Sequence, residues 1–246
     1  MKTDAQLYRF HVANTRELET ALRQIFRHLR SAVAREDDAT TRAYTRLGLL
    51  LVACWAEARF SKLLFEHGAV STAERHTIDK LATQVERWKH LVELGFRRHY
   101  NVPKAKLSKK TLPHSAAMRL DELLGLLEAD LNPVITLRNR LAHGQWIYPL
   151  NSEGTDVVPE YYQALGQENV LSLQFKQRLL MRLADAVHDL LVSKSTFERD
   201  FDSHFAAIRN TRRDLQKRDY SKYVRMMRAK LARGRTQREG SSQDGA

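Results

Sequence analysis

One stretch of the sequence limits the fold more than any other. Between Thr41 and His67 the chain reads as a helix ended by Gly68, and residues 49–55 of that helix are Leu-Leu-Leu-Val-Ala-Cys-Trp. Apolar side chains therefore cover nearly the whole circumference of the helix, which is typical of a helix at the centre of a bundle. The apolar run at 47–56 is about half as long as a bilayer span requires. We expect a buried bundle helix, a soluble protein and no membrane partner.

Helical periodicity extends over most of the remaining chain. The N-terminal segment has a row of apolar residues at helical spacing from Asp4 to about Arg35. Ser71 and Glu74 form a capping box that predicts a helix to about Tyr100. The other predicted helix starts are Ser115, Asn169 and a second capping box at Ser195. The predicted class is all-α, a helical bundle with a long N-terminal helix and a basic C-terminal helical extension.

Two loops interrupt this pattern and help to divide the chain. Residues 101–114 contain two prolines and four lysines, and we expect an exposed basic loop there. Residues 145–169 lack a clear period, and a stretch of that length is more often functional or mobile than idle. We expect a helical domain over residues 1–195, with its core at about 41–193. A basic helix and a disordered tail are expected over residues 196–246.

Positive charge is concentrated at the C-terminal end of the chain. The formal net charge is +12. The last 38 residues hold twelve Lys and Arg against four Asp and Glu, which leaves +8 there and +4 over the other 208 residues. A strongly basic end is typical of proteins that bind a polyanion. We expect RNA or DNA rather than a membrane, because the surrounding helices have the pattern of soluble proteins.

Several classes of protein are excluded by what the sequence lacks. Cys54 is the single cysteine, so there is no internal disulfide, and its apolar surroundings favour a core residue over a nucleophile. The N-terminal residues have no signal-peptide pattern, and a cytoplasmic location is expected. Phosphate-binding glycine loops, His-Glu-x-x-His and Gly-x-Ser-x-Gly are absent from the sequence. We expect no metal site and no cofactor.

The segment from Leu131 to Gly144 carries the clearest pattern for a functional site. It reads Leu-Asn-Pro-Val-Ile-Thr-Leu-Arg-Asn-Arg-Leu-Ala-His-Gly. Asn132 and Pro133 are typical of a helix start, as N-cap and first helical residue. Gly144 is typical of the residue that ends a helix. The segment therefore predicts a helix of about three turns.

Three polar side chains distinguish this short helix from an ordinary amphipathic one. Arg138 lies at the edge of the core-facing stripe, where a guanidinium without an anion would lose several kcal/mol in desolvation. Asn139 and His143 are four residues apart and share the neighbouring flank. The pattern predicts a fixed positive charge beside an imidazole.

The hexapeptide Arg-Asn-Arg-Leu-Ala-His at residues 138–143 resembles the Arg-x(4–6)-His motif of the HEPN superfamily. The pairs Arg23/His28, Arg182/His188 and Arg199/His204 also have a qualifying spacing. Only the 138–143 copy has the asparagine after the arginine, the Asn-Pro start and the glycine stop. HEPN proteins often carry an acidic residue on an earlier core helix, and Glu57 is the matching candidate. The resemblance covers residues 41–193.

The resemblance implies both a fold and a reaction. HEPN proteins are small all-α domains, and many are metal-independent endoribonucleases of toxin–antitoxin, abortive-infection and CRISPR-linked systems. The chain would then cleave RNA by attack of a 2′-hydroxyl on the adjacent phosphate, with a 2′,3′-cyclic phosphate product. It would act as a toxin or anti-phage defence effector, and a cognate antitoxin or sensor protein would be a further partner.

The side chains of the motif suit this chemistry. A histidine such as His143 can act as base or acid at neutral pH, whereas Arg138 offers a permanent charge in a planar fork that fits phosphate. Asn139 can orient the imidazole or bind phosphate. Positions five apart on a regular helix diverge by about 140°, so Arg138 and His143 cannot both face one phosphate unless the last turn is distorted. The resemblance implies a homodimer, in which two motifs at a two-fold axis would share one cleft.

The RNA-binding surface is expected to be formed by basic residues in three places: beside the motif, in the 101–114 loop and at the start of the C-terminal extension. These residues are Arg140, Lys109, Lys110, Arg212, Arg213, Lys217 and Arg218. For the tail that follows, two interpretations remain open. It is either a solvated disordered end or an RNA-positioning segment in which Tyr220 and Tyr223 stack on bases.

Two alternatives to a nuclease also remain open. In the first, Arg138 is a structural partner of Glu57 and His143 is a helix-terminal cation favoured by the helix dipole. The chain would then be a non-catalytic HEPN-like module that binds RNA or serves as a regulator or scaffold. In the second, the chain is an unrelated helical protein that binds nucleic acid or acts as a scaffold.

Overall fold

The chain forms an all-α structure. The computed structural model describes the backbone of residues 2–243 and the side chains of residues 2–234. The helices are α1 (Asp4–Ala34), α2 (Asp38–Leu64), α3 (Thr72–Asp79), α4 (Gln84–His99), α5 (His114–Leu126), α6 (Asn132–Ala142), α7 (Pro159–Gln167), α8 (Val170–Val192), α9 (Lys194–Lys217) and α10 (Tyr220–Gln243). Within this range the β pairing is limited to one isolated bridge between Leu150 and Val157.

The central position predicted for α2 is confirmed. Its buried residues, among them Leu49, Val52, Trp55 and Phe60, lie over about half of its circumference at 3.6 residues per turn, and Leu50, Leu51 and Cys54 on the other half are partly exposed. α1 packs along α2, and α6 and α8 pack against its other sides. Because α2 has contacts on so many sides, its charged residues must lie where two helices meet or where the helix reaches solvent. Over residues 2–243, no helix has both the length and the apolar composition needed to cross a membrane.

α6 begins at Asn132 and has Pro133 in its first turn, as predicted, but the prediction that Asn132 is its N-cap was wrong, because the helix continues from α5 without a break. A π-helical turn at Leu127–Leu131 joins α5 to α6, and Asn132 has helical φ and ψ. Proline has no N–H, and in a regular α-helix its ring clashes with the carbonyl four residues earlier. The wider π turn accommodates Pro133 without ending the helix. The side chain of Asn132 donates to Glu128 Oε2 at 3.0 Å and caps nothing.

Other helix boundaries also differ from the prediction. The single helix expected from Ser71 to Tyr100 is two helices, α3 and α4. A second capping box starts α4: Thr83 Oγ1 accepts from the Glu86 N–H at 3.1 Å, and the Glu86 carboxylate accepts from the Thr83 N–H at 2.9 Å. The same Thr-x-x-Glu pattern is visible in the sequence and predicts a helix start at this point. It was overlooked because apolar residues recur at helical spacing through both α3 and α4.

Caps account for the remaining differences. Asn169 is the N-cap of α8, as predicted, and its side chain accepts from the N–H groups of Leu171 and Ser172. The cap of α9 is Ser193 instead of Ser195. α5 begins after Pro113 with no side-chain cap, so Ser115 does not have the predicted role. α7 occupies part of the segment 145–169, for which no helix was predicted.

The last two helices, α9 and α10, pack on the rest of the protein. Phe197, Phe201 and Ile208 of α9 are buried in the main core, and α9 packs along α8. α10 packs against α1 and is helical as far as Gln243. Of the tail that was expected to be disordered, residues 244–246 lie outside the described residues.

The end of α4 contains a histidine whose protonation should affect stability. His99 Nε2 is hydrogen-bonded to the backbone carbonyl of Leu190 in α8. Burial lowers the pKa of His99 below its ordinary value of 6.5, and the nearby charges of Arg98 and Lys194 act in the same direction. The hydrogen bond to the carbonyl opposes these effects. The unfolded chain therefore binds this proton more readily than the folded chain.

We expect acidification to destabilise the protein through His99. The contribution to stability is fully present above about pH 6.5 and is lost as the pH falls through the lowered pKa of the folded state. The His99→Gln variant keeps an N–H donor for the Leu190 carbonyl but cannot titrate. Urea unfolding between pH 7 and pH 5 should show a smaller loss of unfolding free energy for this variant than for the wild type. Parallel losses in the two proteins would contradict the assignment.

Candidate active site

Arg138 projects from α6 towards α2, where it forms an ion pair with Glu57. The exposed fractions of the two side chains are 21% for Arg138 and 31% for Glu57, so the pair is half-buried. The sequence led to two separate expectations for these residues: an anion for the guanidinium, and an acidic residue on an earlier core helix. The structure brings the two together, because α6 packs directly on α2.

The ion pair does not use all the hydrogen-bonding capacity of Arg138. A guanidinium has five N–H donors. The Arg138 Nε is buried and has no hydrogen-bond partner within the described residues, and the contact with Glu57 is made through Nη2. Glu57 therefore fixes the orientation of the fork, while the exposed part of the side chain can still bind an anion such as phosphate.

His143 lies at the very end of α6, as its C-cap residue. Its φ of −91° and ψ of 18° depart from helical values, and its N–H donates to the Asn139 carbonyl at 3.1 Å. Gly144 follows with a φ of +78°, as predicted for the residue that stops the helix. The Gly144 N–H donates to the Leu141 carbonyl at 3.1 Å, and the Gln145 N–H donates to the Arg140 carbonyl at 3.0 Å, which is the Schellman pattern.

His143 still belongs to the last turn of α6, because its N–H keeps the i→i−4 hydrogen bond to the Asn139 carbonyl. The directions of Arg138 and His143 therefore still diverge by about 140°, and the two side chains of one copy of the chain do not face a single phosphate. The His143 side chain is exposed, and its ring makes no hydrogen bond to another described residue. Asn139 is likewise exposed, with no side-chain partner in the described part of the chain. Both groups are therefore accessible to a ligand.

The loop after His143 is held by arginines. Arg140 donates to the Leu150 carbonyl at 2.6 Å and packs over the ring of Tyr161, with its Cζ 5.2 Å from the ring centroid. Arg46 donates to the carbonyls of Trp146 and Leu165 at 3.2 and 2.7 Å. Arg140 was predicted to bind RNA, and the contacts observed here are with the protein's own loop.

An exposed aromatic cluster lies beside the motif. It consists of Trp146, Ile147, Tyr148 and Tyr162, with exposed fractions of 37%, 59%, 58% and 49%. The rings of Tyr148 and Tyr162 stack with centroids 5.9 Å apart. The Trp146 indole donates to the Leu141 carbonyl at 3.1 Å, so the cluster is tied to the end of α6. Exposed large apolar side chains grouped at one end of a helix in this way often belong to an interaction surface.

Sequence reasoning did not identify this cluster. Its only signal was the run Trp-Ile-Tyr at residues 146–148, which is separated from the glycine stop by Gln145. That run looked like an undefined loop because its neighbour in space, Tyr162, lies on α7, a helix that was not predicted.

The other predicted RNA-binding residues lie in different environments. Lys109 and Lys110 are exposed in the loop between α4 and α5. Arg212 forms an ion pair with Asp130 of the π turn, and Arg218 packs over Phe175 at 5.7 Å. Arg213 and Lys217 are exposed on α9. Lys109, Lys110, Arg213 and Lys217 are thus the members of this set that present exposed charge without such a contact.

Comparisons with known proteins add no family assignment. A scan against protein-family models, a search of curated proteins and a search of solved structures each found no match to this chain. Within residues 2–234, no three His, Cys, Asp or Glu side chains are placed so that they could hold a metal ion. The interpretation of the site rests on its own chemistry.

Proposed function

We propose that this chain is a HEPN-like endoribonuclease that cleaves RNA by attack of a 2′-hydroxyl on the adjacent phosphate, without a metal ion. One observation carries the proposal. A single helix holds an arginine whose fork is oriented by Glu57, and the same helix ends at an exposed imidazole with no partner of its own in the described part of the chain. The reaction needs a fixed cation to stabilise the charge on the phosphate and a titratable group to transfer protons.

Each side chain has a defined part in the proposed reaction. His143 accepts the proton of the 2′-hydroxyl, since its imidazole is exposed and has no hydrogen-bond partner in the described part of the chain. The oxygen then forms a bond to phosphorus, and the bond to the 5′-oxygen breaks to leave a 2′,3′-cyclic phosphate. Arg138 neutralises the charge that develops on the phosphate oxygens. Glu57 is a positioning residue for Arg138, and Asn139 binds phosphate or orients the imidazole.

The leaving 5′-oxygen needs a proton, and a second copy of the chain would supply it from the protonated form of its own His143, which becomes neutral as the first His143 gains the proton of the 2′-hydroxyl. The aromatic cluster beside the motif supports such a homodimer. Its four exposed apolar side chains adjoin the end of α6, so association through the cluster would bring two copies of the motif close together.

We expect the Ile147→Asp variant to lose both self-association and RNA cleavage. A carboxylate at this exposed position would be buried without a partner in the dimer. Sedimentation should show the dimer dissociation constant raised by about 30-fold or more, as for a residue central to an interface. The matched control is Phe10→Asp on α1, which changes a side chain of similar exposure, 51%, away from the motif. A wild-type protein that cleaves RNA as a monomer would contradict the dimer.

The proposed activity is tested with end-labelled RNA in the presence of EDTA. The purified protein should produce fragments that carry 2′,3′-cyclic phosphate ends. A second candidate function is favoured by the ion pair itself, because Arg138 paired with Glu57 also suits a structural role. In that case the chain is a non-catalytic HEPN-like RNA-binding or regulatory module, and RNA would be shifted on a gel but left intact.

The biological role that fits the proposed activity is that of a toxin or anti-phage defence effector in the cytoplasm. An endoribonuclease of this kind must be restrained in its host, so a cognate antitoxin or sensor protein is part of the proposal. Growth arrest on expression of the wild type, and its absence on expression of a His143 variant, would support this role.

A further inference from the structure

Two helices that pack together, α1 and α10, carry many basic residues and no acidic residue in the segments considered next. Residues 20–35 of α1 and its C-cap contain four arginines and no acidic residue, and residues 220–234 of α10 contain five Lys and Arg and no acidic residue. These nine residues are here called the basic face: Arg23, Arg27, Arg30, Arg35, Lys222, Arg225, Arg228, Lys230 and Arg233. α10 packs on α1, so the two sets of charges lie on adjacent helices.

The two helices run antiparallel. Near the start of α10, Tyr220 lies close enough to Asp38 for the carboxylate to raise the tyrosine's pKa, although burial is the larger cause. Further along, Arg228 pairs with Glu36 at 3.3 Å. Lys230 and Gly234 then line a groove together with Arg30. α10 therefore runs back along α1, towards the N-terminal half of α1.

Most of the apolar side chains of α10 face the rest of the protein in this packing. The less exposed residues of α10 recur at helical spacing, and they are Tyr223, Val224, Met227, Leu231 and Gly234. Tyr220, Tyr223 and Val224 pack against the main core, and the two tyrosine rings stack on each other. Burial also raises the pKa of Tyr223. The two tyrosines are therefore structural, and the interpretation in which they stack on RNA bases does not fit their positions.

The outer side of α10 is a row of cations. Lys222, Arg225 and Arg233 are exposed, and the first and last are about 17 Å apart along the helix axis, at 1.5 Å per residue. Arg30 and Lys230 stand on opposite walls of the groove between the helices, whose volume is about 300 Å³. The charges therefore follow both the outer row of α10 and the groove beside it.

Most of this charge is not neutralised within the protein. Arg228 pairs with Glu36, and none of the other eight residues has an ion pair with a described side chain. Unpaired cations on neighbouring helices repel one another, and a polyanion that lies along them relieves the repulsion. The phosphate backbone of a nucleic acid is a polyanion of this kind, and Lys and Arg side chains bind it by neutralising its charge.

We propose that the basic face binds the phosphate backbone of base-paired RNA. This proposal extends the proposed function. It rests on that function only for the choice of RNA as the nucleic acid. A single-stranded site would need exposed aromatic rings for stacking, and the tyrosines of α10 are packed inwards. A membrane-surface helix needs a broad exposed apolar side. Most of the apolar side chains of α10 pack inwards, and Met226, 55% exposed among the cations, is the one large apolar side chain of residues 220–234 that is exposed. The basic face therefore recognises the charge of the RNA backbone and does not distinguish base sequences.

The binding test uses the wild-type chain and a 20-base-pair RNA duplex with 2′-O-methyl groups, which lacks the attacking hydroxyl. We expect the Lys222→Gln/Arg225→Gln/Arg233→Gln variant to bind this duplex about tenfold or more weakly at about 0.1 M salt. The slope of log K against log salt concentration should become shallower by about 2 to 3, because three phosphate contacts are lost. The matched control, Lys2→Gln/Lys80→Gln/Arg182→Gln, changes the net charge equally at exposed positions elsewhere and should bind nearly as well as the wild type.

Three outcomes would overturn this proposal. They are equal binding by the two triple variants, much tighter binding of single-stranded RNA of the same length, and binding of phosphatidylserine vesicles in place of the duplex. The uncleavable probe keeps the result independent of the proposed nuclease. Duplex binding that depends on these three residues would stand even if no RNA were cleaved, and loss of binding would leave the chemistry of His143 to be judged by cleavage alone.

Discussion

The His143→Ala variant should fail to cleave RNA while remaining fully folded. The imidazole is the only titratable side chain of the proposed motif that is exposed and has no partner in the described part of the chain. Removal of a general base or acid costs about 10²- to 10⁴-fold in rate, and in a dimer both functions would be lost together. Stability should hardly change, because an exposed C-cap side chain that packs on nothing contributes little to folding.

A matched histidine provides the control. His76 is exposed on α3, and His76→Ala removes the same group elsewhere without affecting the motif. The rate of fragment formation from labelled RNA should be unchanged in this variant. If His143→Ala cleaved as fast as His76→Ala, the imidazole would have no catalytic role, and the structural interpretation of the motif would be favoured.

The second large effect is expected at the Arg138–Glu57 pair, where stability and catalysis can be separated. Arg138→Met leaves the half-buried Glu57 carboxylate without its partner, at a cost of about 1 to 3 kcal/mol in unfolding free energy. The exposure of the pair keeps this cost below that of a fully buried ion pair. Cleavage should fall by about 10²-fold or more, as when one group that stabilises developing negative charge is lost.

The double variant Arg138→Met/Glu57→Leu separates the two roles. Replacement of both members of a buried ion pair by apolar groups is often neutral for stability, so the urea midpoint should return towards that of the wild type. Cleavage should stay lost, because no guanidinium remains to meet the phosphate. Recovery of both stability and cleavage in the double variant would show that the pair only holds α2 and α6 together.

Much of the fold follows from local patterns that the surroundings did not override. The all-round apolar composition of residues 49–55 fitted only a central helix, and α2 is central. Gly144 takes the positive φ that a side chain would resist, so the end of α6 was predictable from one residue. The expectation that Arg138 needs an anion was a statement about desolvation, and the nearest core carboxylate, Glu57, meets it.

The differences arise where a local pattern has two structural solutions. Asn-Pro is typical of a helix start, but a π turn can also accommodate proline, which has no N–H to donate. Which of the two forms depends on how α5 and α6 pack. The aromatic cluster and the basic face depend on contacts between distant parts of the chain. Tyr148 meets Tyr162 across a loop, and α10 meets α1 from the opposite end of the sequence. Periodicity within one segment contains no information on such pairings.

The most direct measurement is cleavage of an RNA that has a single 2′-deoxy nucleotide at its mapped cleavage site, in the presence of EDTA. In the proposed reaction that 2′-oxygen is the nucleophile, so the substituted RNA should remain intact at this position, while the all-ribose RNA yields a 2′,3′-cyclic phosphate there. Cleavage of the substituted RNA at the same bond would show that a water molecule is the nucleophile and would contradict the roles assigned to Arg138 and His143.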